Sequence, residues 1–567
     1  MGLGSSLQIG KTGLAASQAA IEVAGNNLAN IATRGYHRQS ISLASNPAQE
    51  LQQGVYIGRG VNVQQILRHV DEALEGRIRN GIASQAGSAA REEILRQIEA
   101  LENEFSDVDL SSHLNTFFNA WSELANNPGD NALRSLVVQE GTTMAQFIQH
   151  LKQGLADVRL QVDKSLDGAV AAADDLLKRI EILNEQIVIQ EGGGGHAPAL
   201  RDERGLLLAD LAGYLEISTN EQPTGAVDVY VGSLPVILGG KSRGLEMQRR
   251  SLEGELQVSV AISDDGSLLT SPSGRIGALM KTRTGDVNQA MEMLDDFTND
   301  LIFQVNRVHS QGQGLVQYDQ IVGTYQVDDA FLALNDTDAG LAFDIGHGSF
   351  QLHVTQKSTG QRVTHTVHVD LDGIGGNDTT LNDLAAAVTA VPDVTGSVTP
   401  DGRLQIATNA RDFEISFSDD SSGVLAGLGI NTFFNGTNAS DIMVESGVST
   451  NLHRVAAAQG HALSGNGNAL EMVALRTQPL AGLNNLSLAE AWTTHVEDYA
   501  MRLSQASARV NADMIVRENL EVQQHQISGV NADEEAINLL TFQRTYQGSA
   551  RFLQVVDELI DTLLSLL

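Results

Sequence analysis

The chain has 567 residues, of which 42% are hydrophobic and only 4% aromatic, so it can form several folded domains and is not a disordered chain. Asp and Glu number 70 against 36 for Lys and Arg, which gives a formal net charge of −34. A field of that sign repels phosphate backbones and anionic membrane surfaces, so we expect no nucleic-acid partner and no membrane insertion.

The chain contains no cysteine, which excludes disulfides, thiolate zinc sites, iron–sulfur clusters and a cysteine nucleophile. Its first residues, Met1 to Leu7, carry neither a basic segment nor a continuous apolar one. We therefore expect no cleaved secretory signal, so that the chain is either intracellular or exported by a route that does not cleave it.

The first predicted element is an amphipathic helix with two heptad rows. Its large row consists of Leu7, Leu14, Ile21 and Leu28. The row three positions further on is mostly small and consists of Gly10, Ser17, Ala24 and Ile31. Rows with this spacing are typical of helices that pack against other helices. Gly35 supplies a C′ residue, so we expect the helix to end just before it.

The middle of the chain alternates between strand-like and helical patterns. In chain order, the predicted segments are extended at 34–66, helical at 67–215, strand-like at 217–273, helical at 287–308, strand-like at 315–440 and helical after 441. One helix, from Thr380 to about Val391, is inserted in the second strand-like block. It opens on Thr380 and Asp383, which resemble a capping box.

The last predicted element is a second helix with heptad rows. One row consists of Leu539, Tyr546, Leu553, Ile560 and Leu567, and its offset row consists of Phe542, Ser549, Val556 and Leu563. Two interpretations of these terminal apolar rows remain open. Either the helices pack on the protein's own core or on each other, or they bind to neighbouring subunits. In the second case each Leu or Ile that becomes fully buried contributes roughly 1.5–3 kcal/mol to the binding free energy.

These patterns predict an α+β multidomain protein, an elongated helical rod or coiled coil built from both termini, with inserted mainly-β outer domains. The expected domains are an inner layer of 1–66 with 535–567, a helical domain of 67–215 with 274–314 and 441–534, a small β module of 216–273, and a β-rich outer domain of 315–440. No convincing short-period repeat is present, which argues against a solenoid.

The motifs that suggest chemistry fail on spacing. Residues 239–242 have the tail of a phosphate loop, but Pro235 stands where its first glycine is required. An EF-hand loop with Gly373 at its sixth position would begin with a histidine and end with a threonine, where carboxylates are needed. His365 and His368 fall on opposite faces of a predicted strand. We therefore expect no catalytic site, no metal and no cofactor.

Several segments resemble bacterial flagellar axial proteins. Asn26, Asn27, Leu28 and Asn30, followed by Gly35, Tyr36, Arg38 and Gln39, resemble their N-terminal signature. The continuation after Tyr36 and the stretch 428–437 are similar to the hook-associated protein 1 family. Residues 274–283, Asn306, His309, 534–547 and 559–567 fit the same family. One departure is Arg34, where many axial proteins have a proline that ends the helix firmly.

The resemblance implies a structural adaptor of the flagellum that joins hook to filament, with the terminal helices as the inner layer of a tube. It implies export through the flagellar type III apparatus, secretion, and a location at the hook–filament junction. The implied partners are further copies of the chain, the hook protein, the second hook–filament junction protein and an export chaperone at the C-terminal helix. The expected assembly interface consists of Leu7, Leu14, Ile21, Asn26, Asn27, Leu28, Asn30, Gly35, Tyr36, Arg38, Gln39, Leu539, Phe542, Tyr546, Leu553, Val556, Ile560, Leu563 and Leu567.

Three alternatives stay open at this point. A rod or hook subunit would share the N-terminal signature, but the stretch 428–437 and the large inserted β domains argue against it. A secreted hydrolase with its site in the β modules requires a focused pocket with convergent polar groups. An adhesive or antigenic surface protein would carry its β domains outward, a role compatible with that of an adaptor. For the three asparagines Asn26, Asn27 and Asn30, fixing the helix register and capping the helix end are equally consistent with the sequence.

Overall fold

The computed structural model describes residues 3–52, 54–102, 109–193, 195–252, 255–269, 273–460 and 464–565. The helices are α1 (Leu3–Ala29), α2 (Glu72–Glu102), α3 (Leu110–Asn126), α4 (Asn131–Gly192), α5 (Pro198–Tyr214), α6 (Gly274–Thr282), α7 (Asn288–Ser310), α8 (Leu381–Thr389), α9 (Val424–Gly427), α10 (Ser446–Thr450), α11 (Gly467–Leu475), α12 (Leu488–Ser528) and α13 (Ala532–Ser565). A π-helical turn, Arg283–Val287, joins α6 to α7. No helix in the described part of the chain is long and apolar enough to cross a membrane.

The strands are short and fall between these helices. They are β1 (Gln39–Ser45), β2 (Gln49–Gln52), β3 (Val55–Ile57), β4 (Val61–Arg68), β5 (Ser218–Glu221), β6 (Val227–Val231), β7 (Leu234–Leu238), β8 (Lys241–Ser242), β9 (Leu245–Leu252), β10 (Glu255–Ile262), β11 (Gln320–Val322), β12 (Gly348–Gln356), β13 (Arg362–Val369), β14 (Val394–Val398), β15 (Leu404–Thr408), β16 (Phe413–Ser418), β17 (Phe434–Asn435) and β18 (Met443–Val444). The α+β, multidomain fold class is therefore confirmed.

The chain forms two compact units, each assembled from separate stretches of sequence. The first unit consists of Met1–Ile94, Val162–Arg283 and Ser504–Leu567, and the second of Leu95–Gln161 and Thr284–Leu503. The helices α2, α4 and α12 contribute residues to both units.

In the first unit the two terminal helices pair with each other. Gly10 of α1 lies against Leu553 of α13, and Asn27 near the other end of α1 bonds to Glu535, so the pair is antiparallel. The chain then forms the antiparallel ladder β1–β4, whose register shifts between Ser42 and Leu43. The remaining strands form the pair β2–β3, the four-stranded sheet β5-β6-β7-β8 and the pair β9–β10. The α4 residues that the helical spacing selects, Ala173, Leu176, Ile180, Leu183 and Ile187, are all buried.

The second unit has a mixed core. Two three-stranded sheets, β13-β12-β16 and β11-β15-β14, share a hydrophobic core with α8. The predicted capping box forms, because the Thr380 hydroxyl accepts from the Asp383 amide and the Asp383 carboxylate accepts from the Thr380 amide. The helical part of this unit is built on aromatic contacts, with the rings of Phe117 and Trp121 of α3 both packed on Phe433.

The helical prediction after residue 441 is wrong for its first part. Residues 443–460 form the short strand β18, the one-turn helix α10 and otherwise short turns and irregular structure, and longer helices begin only at Gly467 and Leu488. The Glu445 side chain accepts the amides of Gly447 and Val448 and so caps a single turn. Local hydrogen bonding by such side chains competes with a continuous helix, which explains the difference.

Candidate assembly interface of the terminal helices

The small row of α1 is the row that packs on α13. Gly10, Ser17 and Ala24 are buried, and a Cβ atom placed on Gly10 would lie 2.6 Å from Cδ2 of Leu553. The helix axes therefore approach more closely than they would with larger side chains at these positions. The last member of the row, Ile31, lies beyond the helix and is 48% exposed.

The large row of α1 stays open. Leu7 and Leu28 are each 39% exposed, and Leu14 and Ile21 are half-buried. A stripe of leucine and isoleucine that stays partly exposed along one helix is a feature of surfaces that meet another molecule. Of the two heptad rows, the chain buries the small one from Gly10 to Ala24 and leaves the large one partly accessible.

On α13 most of the predicted row residues face α1. Leu539, Phe542, Tyr546, Leu553 and Ile560 are half-buried, and Val556 is buried. Leu563 is exposed, and Leu567 lies outside the described residues. A further set of apolar side chains, here called the outer row, is exposed and consists of Ile537, Leu540, Val555 and Leu559. The sequence patterns did not single out the outer row.

A polar junction connects the end of α1, strand β1 and the start of α13. It consists of Asn27, Tyr36, Arg38, Gln39 and Glu535. The Asn27 side chain forms two hydrogen bonds with the backbone of Gln39. Its Nδ2 donates to the Gln39 carbonyl at 2.8 Å, and its Oδ1 accepts from the Gln39 amide at 3.0 Å. The same Nδ2 donates to Oε2 of Glu535 at 3.1 Å, and the Tyr36 hydroxyl donates to Oδ1 of Asn27 at 2.8 Å.

Glu535 is the charged centre of this polar junction. Its side chain is 3% exposed, and its Oε1 accepts from Nε of Arg38 at 2.8 Å. Burial, followed by the negative charges of Asp202 and Glu535, raises the pKa of Tyr36 to about 12. The Tyr36 hydroxyl is therefore protonated at neutral pH and stays a donor to Asn27.

The three asparagines of the signature have different roles. Asn30 donates from Nδ2 to the Asn26 carbonyl at 2.9 Å, in addition to the bond from its own backbone amide to the same carbonyl at 3.1 Å. Asn26 and Asn30 therefore finish the helix, whereas Asn27 bridges to other elements. The prediction that α1 ends just before Gly35 is wrong, because the helix ends at Ala29 and the Thr33 amide bonds to the Asn30 carbonyl at 2.9 Å in a turn. Gly35 lies at the end of this turn segment with φ +77°, a left-handed conformation that glycine accepts without strain. Arg34 is exposed and pairs with Asp210 at 2.9 Å.

His37 anchors the same segment to α5 and α2. Its Nδ1 lies 2.7 Å from Oδ1 of Asp202, and its Nε2 lies 3.4 Å from Oε1 of Glu75. Burial opposes protonation, but the hydrogen bonds to the two carboxylates outweigh it and raise the pKa of His37 to about 9. The positive charge of Arg68 acts in the opposite direction. His37 is therefore a cation at neutral pH.

We expect the stabilising effect of His37 to be lost in alkaline solution. A group whose folded-state pKa is raised stabilises fully below its unfolded value near 6.5, and the effect disappears as the pH rises through about 9. The lost contribution is on the order of 3 kcal/mol. Thermal unfolding of the wild-type chain and of His37→Gln between pH 6 and 10 measures it, because the difference between the two should shrink toward high pH. A difference that is constant with pH would contradict the assignment.

Of the other segments that resemble the flagellar family, Asn306, His309 and the stretch 428–437 lie inside the second unit, and residues 274–283 belong to the first. The Asn306 side chain donates to the Phe434 carbonyl at 2.9 Å and accepts the amides of Phe433 and Phe434. His309 is fully buried between the Asn431 carbonyl and the Ala456 amide, and burial lowers its pKa to about 4. These residues hold the stretch 428–437 in place and belong to the fold of that unit.

One group among the described residues has metal-ligand geometry. Atoms of His347, Asp370 and Asp372 lie within 4.8 Å of one another. Nδ1 of His347 is 3.2 Å from Asp370 Oδ1 and 3.3 Å from the Leu371 amide. All three side chains are partly or fully exposed, and exposed acidic groups of this kind are common in proteins without a bound metal. His347 is distant in sequence from the aspartates, so no local sequence pattern connects the three residues.

Known proteins that match the chain are flagellar. The family described as "Flagellar hook-associated protein FlgK helical domain" matches residues 95–323, and two flagellar basal body rod families match residues 7–37 and 524–566. Flagellar hook-associated protein 1 of Salmonella typhimurium is 24% identical over 568 residues, covering 98% of both chains. The Escherichia coli protein of that name is 24% identical over 98% of both chains. The Bacillus subtilis protein is 28% identical over 46% of this chain and 55% of its own.

A solved structure shows the same fold. The flagellar hook junction protein FlgK from Burkholderia pseudomallei aligns with a TM-score of 0.50 and 15% identity, covering 80% of this chain and 100% of that chain. The two rod-family matches fall on the segments that carry α1 and α13, and the helical-domain match lies between them in the sequence.

Proposed function

Because the chain belongs to the flagellar hook-associated protein 1 family, we propose that it is a secreted structural adaptor that joins hook to filament and polymerises through its terminal helices. The observation that carries this proposal is the large row of α1, which α13 leaves open although the two helices pair. The family is one of structural flagellar proteins, and the adaptor role itself needs no catalytic step.

The contact residues of the adaptor are the large row of α1 and the outer row of α13. Burying one such leucine or isoleucine in a neighbour contributes roughly 1.5–3 kcal/mol, so a few of them suffice for a stable joint. The small row from Gly10 to Ala24 and the predicted α13 row from Leu539 to Ile560 act inside the molecule. The predicted residues Asn27, Tyr36, Arg38 and Gln39 act by shaping the end of the helix pair, and Gly35 by turning the chain between α1 and β1.

The partners in this proposal are further copies of the chain, the hook protein on one side and the second hook–filament junction protein on the other. Contacts between different surfaces of neighbouring molecules extend into helical arrays and do not close into dimers. The segments 1–66 with 535–567 form the inner layer, 67–215 with 274–314 and 441–534 the helical domain, and 216–273 and 315–440 the outer β domains.

Before assembly, the adaptor is exported by the flagellar type III apparatus and needs protection at its C-terminal end. Leu559, Leu563 and Leu564 of α13 are all about half exposed or more, and a stripe of this kind promotes aggregation. A cytoplasmic export chaperone that covers the last turns of α13 meets this requirement.

Electron microscopy of a strain that lacks the gene tests the adaptor role. We expect hooks of normal length without filaments, with filament subunits released into the medium, and restoration by the wild-type chain. Normal filaments in the deletion strain would contradict the proposal. A strain without hooks would place the chain below the junction, as in the rod or hook alternative.

A further inference from the structure

The apolar contacts between α1 and α13 do not by themselves define how the two helices align. Both rows repeat every seven residues, and a shift of α13 by one heptad again places large residues opposite small ones. In the observed register Gly10 faces Leu553; one shift brings Ile560 to the same place, which glycine also accommodates. Repeating seams of this kind are prone to alternative registers.

The polar junction differs from the apolar rows because it occurs once. Glu535 is the buried acid of α13, and both of its carboxylate oxygens are used, one by Arg38 and one by Asn27. In a register shifted by one heptad, Asn27 would face Phe542 or lie beyond the start of α13, and Glu535 would lose both donors. A buried carboxylate without donors is costly, so each shifted register is penalised.

From this we propose that Glu535 is the residue that selects the register of α13 on α1. The apolar rows stabilise the pairing of the two helices but do not determine its register. This inference rests on the proposed function in one respect, since the register decides how the outer row of α13 lies beside the large row of α1. The neighbouring Glu534 differs from Glu535, because it is exposed and its Oε2 lies 3.4 Å from Arg38.

The connection between α12 and α13 is the competing explanation for the register. Only residues 529–531 join the two helices, and the Arg38 amide also donates to the Ser528 carbonyl at 2.9 Å. A one-heptad shift moves α13 by about 10 Å, which unwinding about six residues at the end of α12 would supply. The connection therefore restrains a shift without forbidding it, and experiment can separate the two explanations.

Engineered cysteine pairs report the register in the full-length chain, which has no cysteine of its own. A Cβ placed on Gly13 lies 3.8 Å from Cβ of Ser549, the usual separation in a disulfide, so Gly13→Cys with Ser549→Cys reports the observed register. Gly13→Cys with Phe542→Cys, and with Val556→Cys, report shifts of one heptad in each direction. Each pair is oxidised in the background of Glu535, of Glu535→Leu and of the matched control Glu534→Leu, and disulfide yield is measured by mass spectrometry.

With Glu535 present, and with Glu534→Leu, we expect the Gly13–Ser549 pair to dominate. With Glu535→Leu we expect at least one shifted pair to increase about tenfold or more, the effect of losing a charge-assisted hydrogen bond. Exclusive formation of the Gly13–Ser549 pair in Glu535→Leu would overturn the inference in favour of the connection. Loss of all three disulfides would also overturn it, because Glu535 would then be needed for pairing itself. Both results are independent of whether the chain joins hook to filament.

Discussion

Replacing Leu7 and Leu28 together by aspartate is expected to abolish filament formation while leaving the isolated chain folded. Both side chains lie on the large row of α1 and are 39% exposed, so few contacts within the molecule are lost. In the assembly, each substitution removes roughly 1.5–3 kcal/mol of binding free energy from apolar burial and places a carboxylate in an apolar contact. The joint is then weakened at least about 100-fold.

The measurement is the number of filaments per cell in a deletion strain that expresses the double variant. Secretion of the variant into the medium shows that export is intact, and thermal unfolding shows that the fold is intact, with a change within about 0.5 kcal/mol. Ile189→Asp is the matched control, because Ile189 is 72% exposed on α4 and belongs to neither row. If the double variant forms filaments at the wild-type number, the large row is not part of the assembly interface.

The sequence pattern predicted both terminal helices but not which of their rows would meet. Seven-residue spacing identifies positions that share a face, and it does not say which face of a helix receives the partner. The outcome depends on size: Gly10, Ser17 and Ala24 let the two backbones approach, which a row of leucines does not. The outer row of α13 was missed for a related reason, because its members do not keep strict heptad spacing.

The sequence predicted only part of the polar junction. The asparagine signature indicated that polar residues act at the end of α1, but Asn26, Asn27 and Asn30 could not be separated without their partners. Glu535 carried one weak signal, a place among three acidic residues in the first turn of α13, where helix termini favour carboxylates in any case. Its pairing with Arg38 joins residues almost 500 positions apart, which no local pattern reveals.

In the second unit, the strand alternation and the capping box of α8 were readable because they are local. The irregular stretch 443–460 was not, because distant contacts act on it in addition to the local cap at Glu445. Arg134 of α4, for example, is fully buried and donates to the Val455 carbonyl at 2.6 Å. Asn306 and His309 were identified by resemblance to a family. In the structure both side chains are buried and bond to the backbone of the stretch 428–437, so their role is in the packing of the unit.

Asn306→Leu is expected to destabilise the second unit by roughly 3–5 kcal/mol. The side chain is fully buried, and a leucine of similar size leaves the amides of Phe433 and Phe434 and the carbonyl of Phe434 without their partner. Each buried backbone group that loses its hydrogen bond costs about 1–3 kcal/mol. Because Phe433 packs on Phe117 and Trp121, the aromatic core of the unit should loosen as well.

Asn299→Leu is the matched control, since Asn299 lies on the same helix, α7, and its Nδ2 donates to the Thr437 carbonyl at 2.9 Å from a half-buried position. Water can replace that bond, so we expect a loss under about 1 kcal/mol. Hydrogen exchange resolved by peptide measures both variants: Asn306→Leu should lose protection in 424–435 and in α3, with α1 and α13 unchanged. Equal effects of the two substitutions would show that Asn306 contributes no more than a surface hydrogen bond, and the stretch 428–437 would then need another explanation for its place in the core.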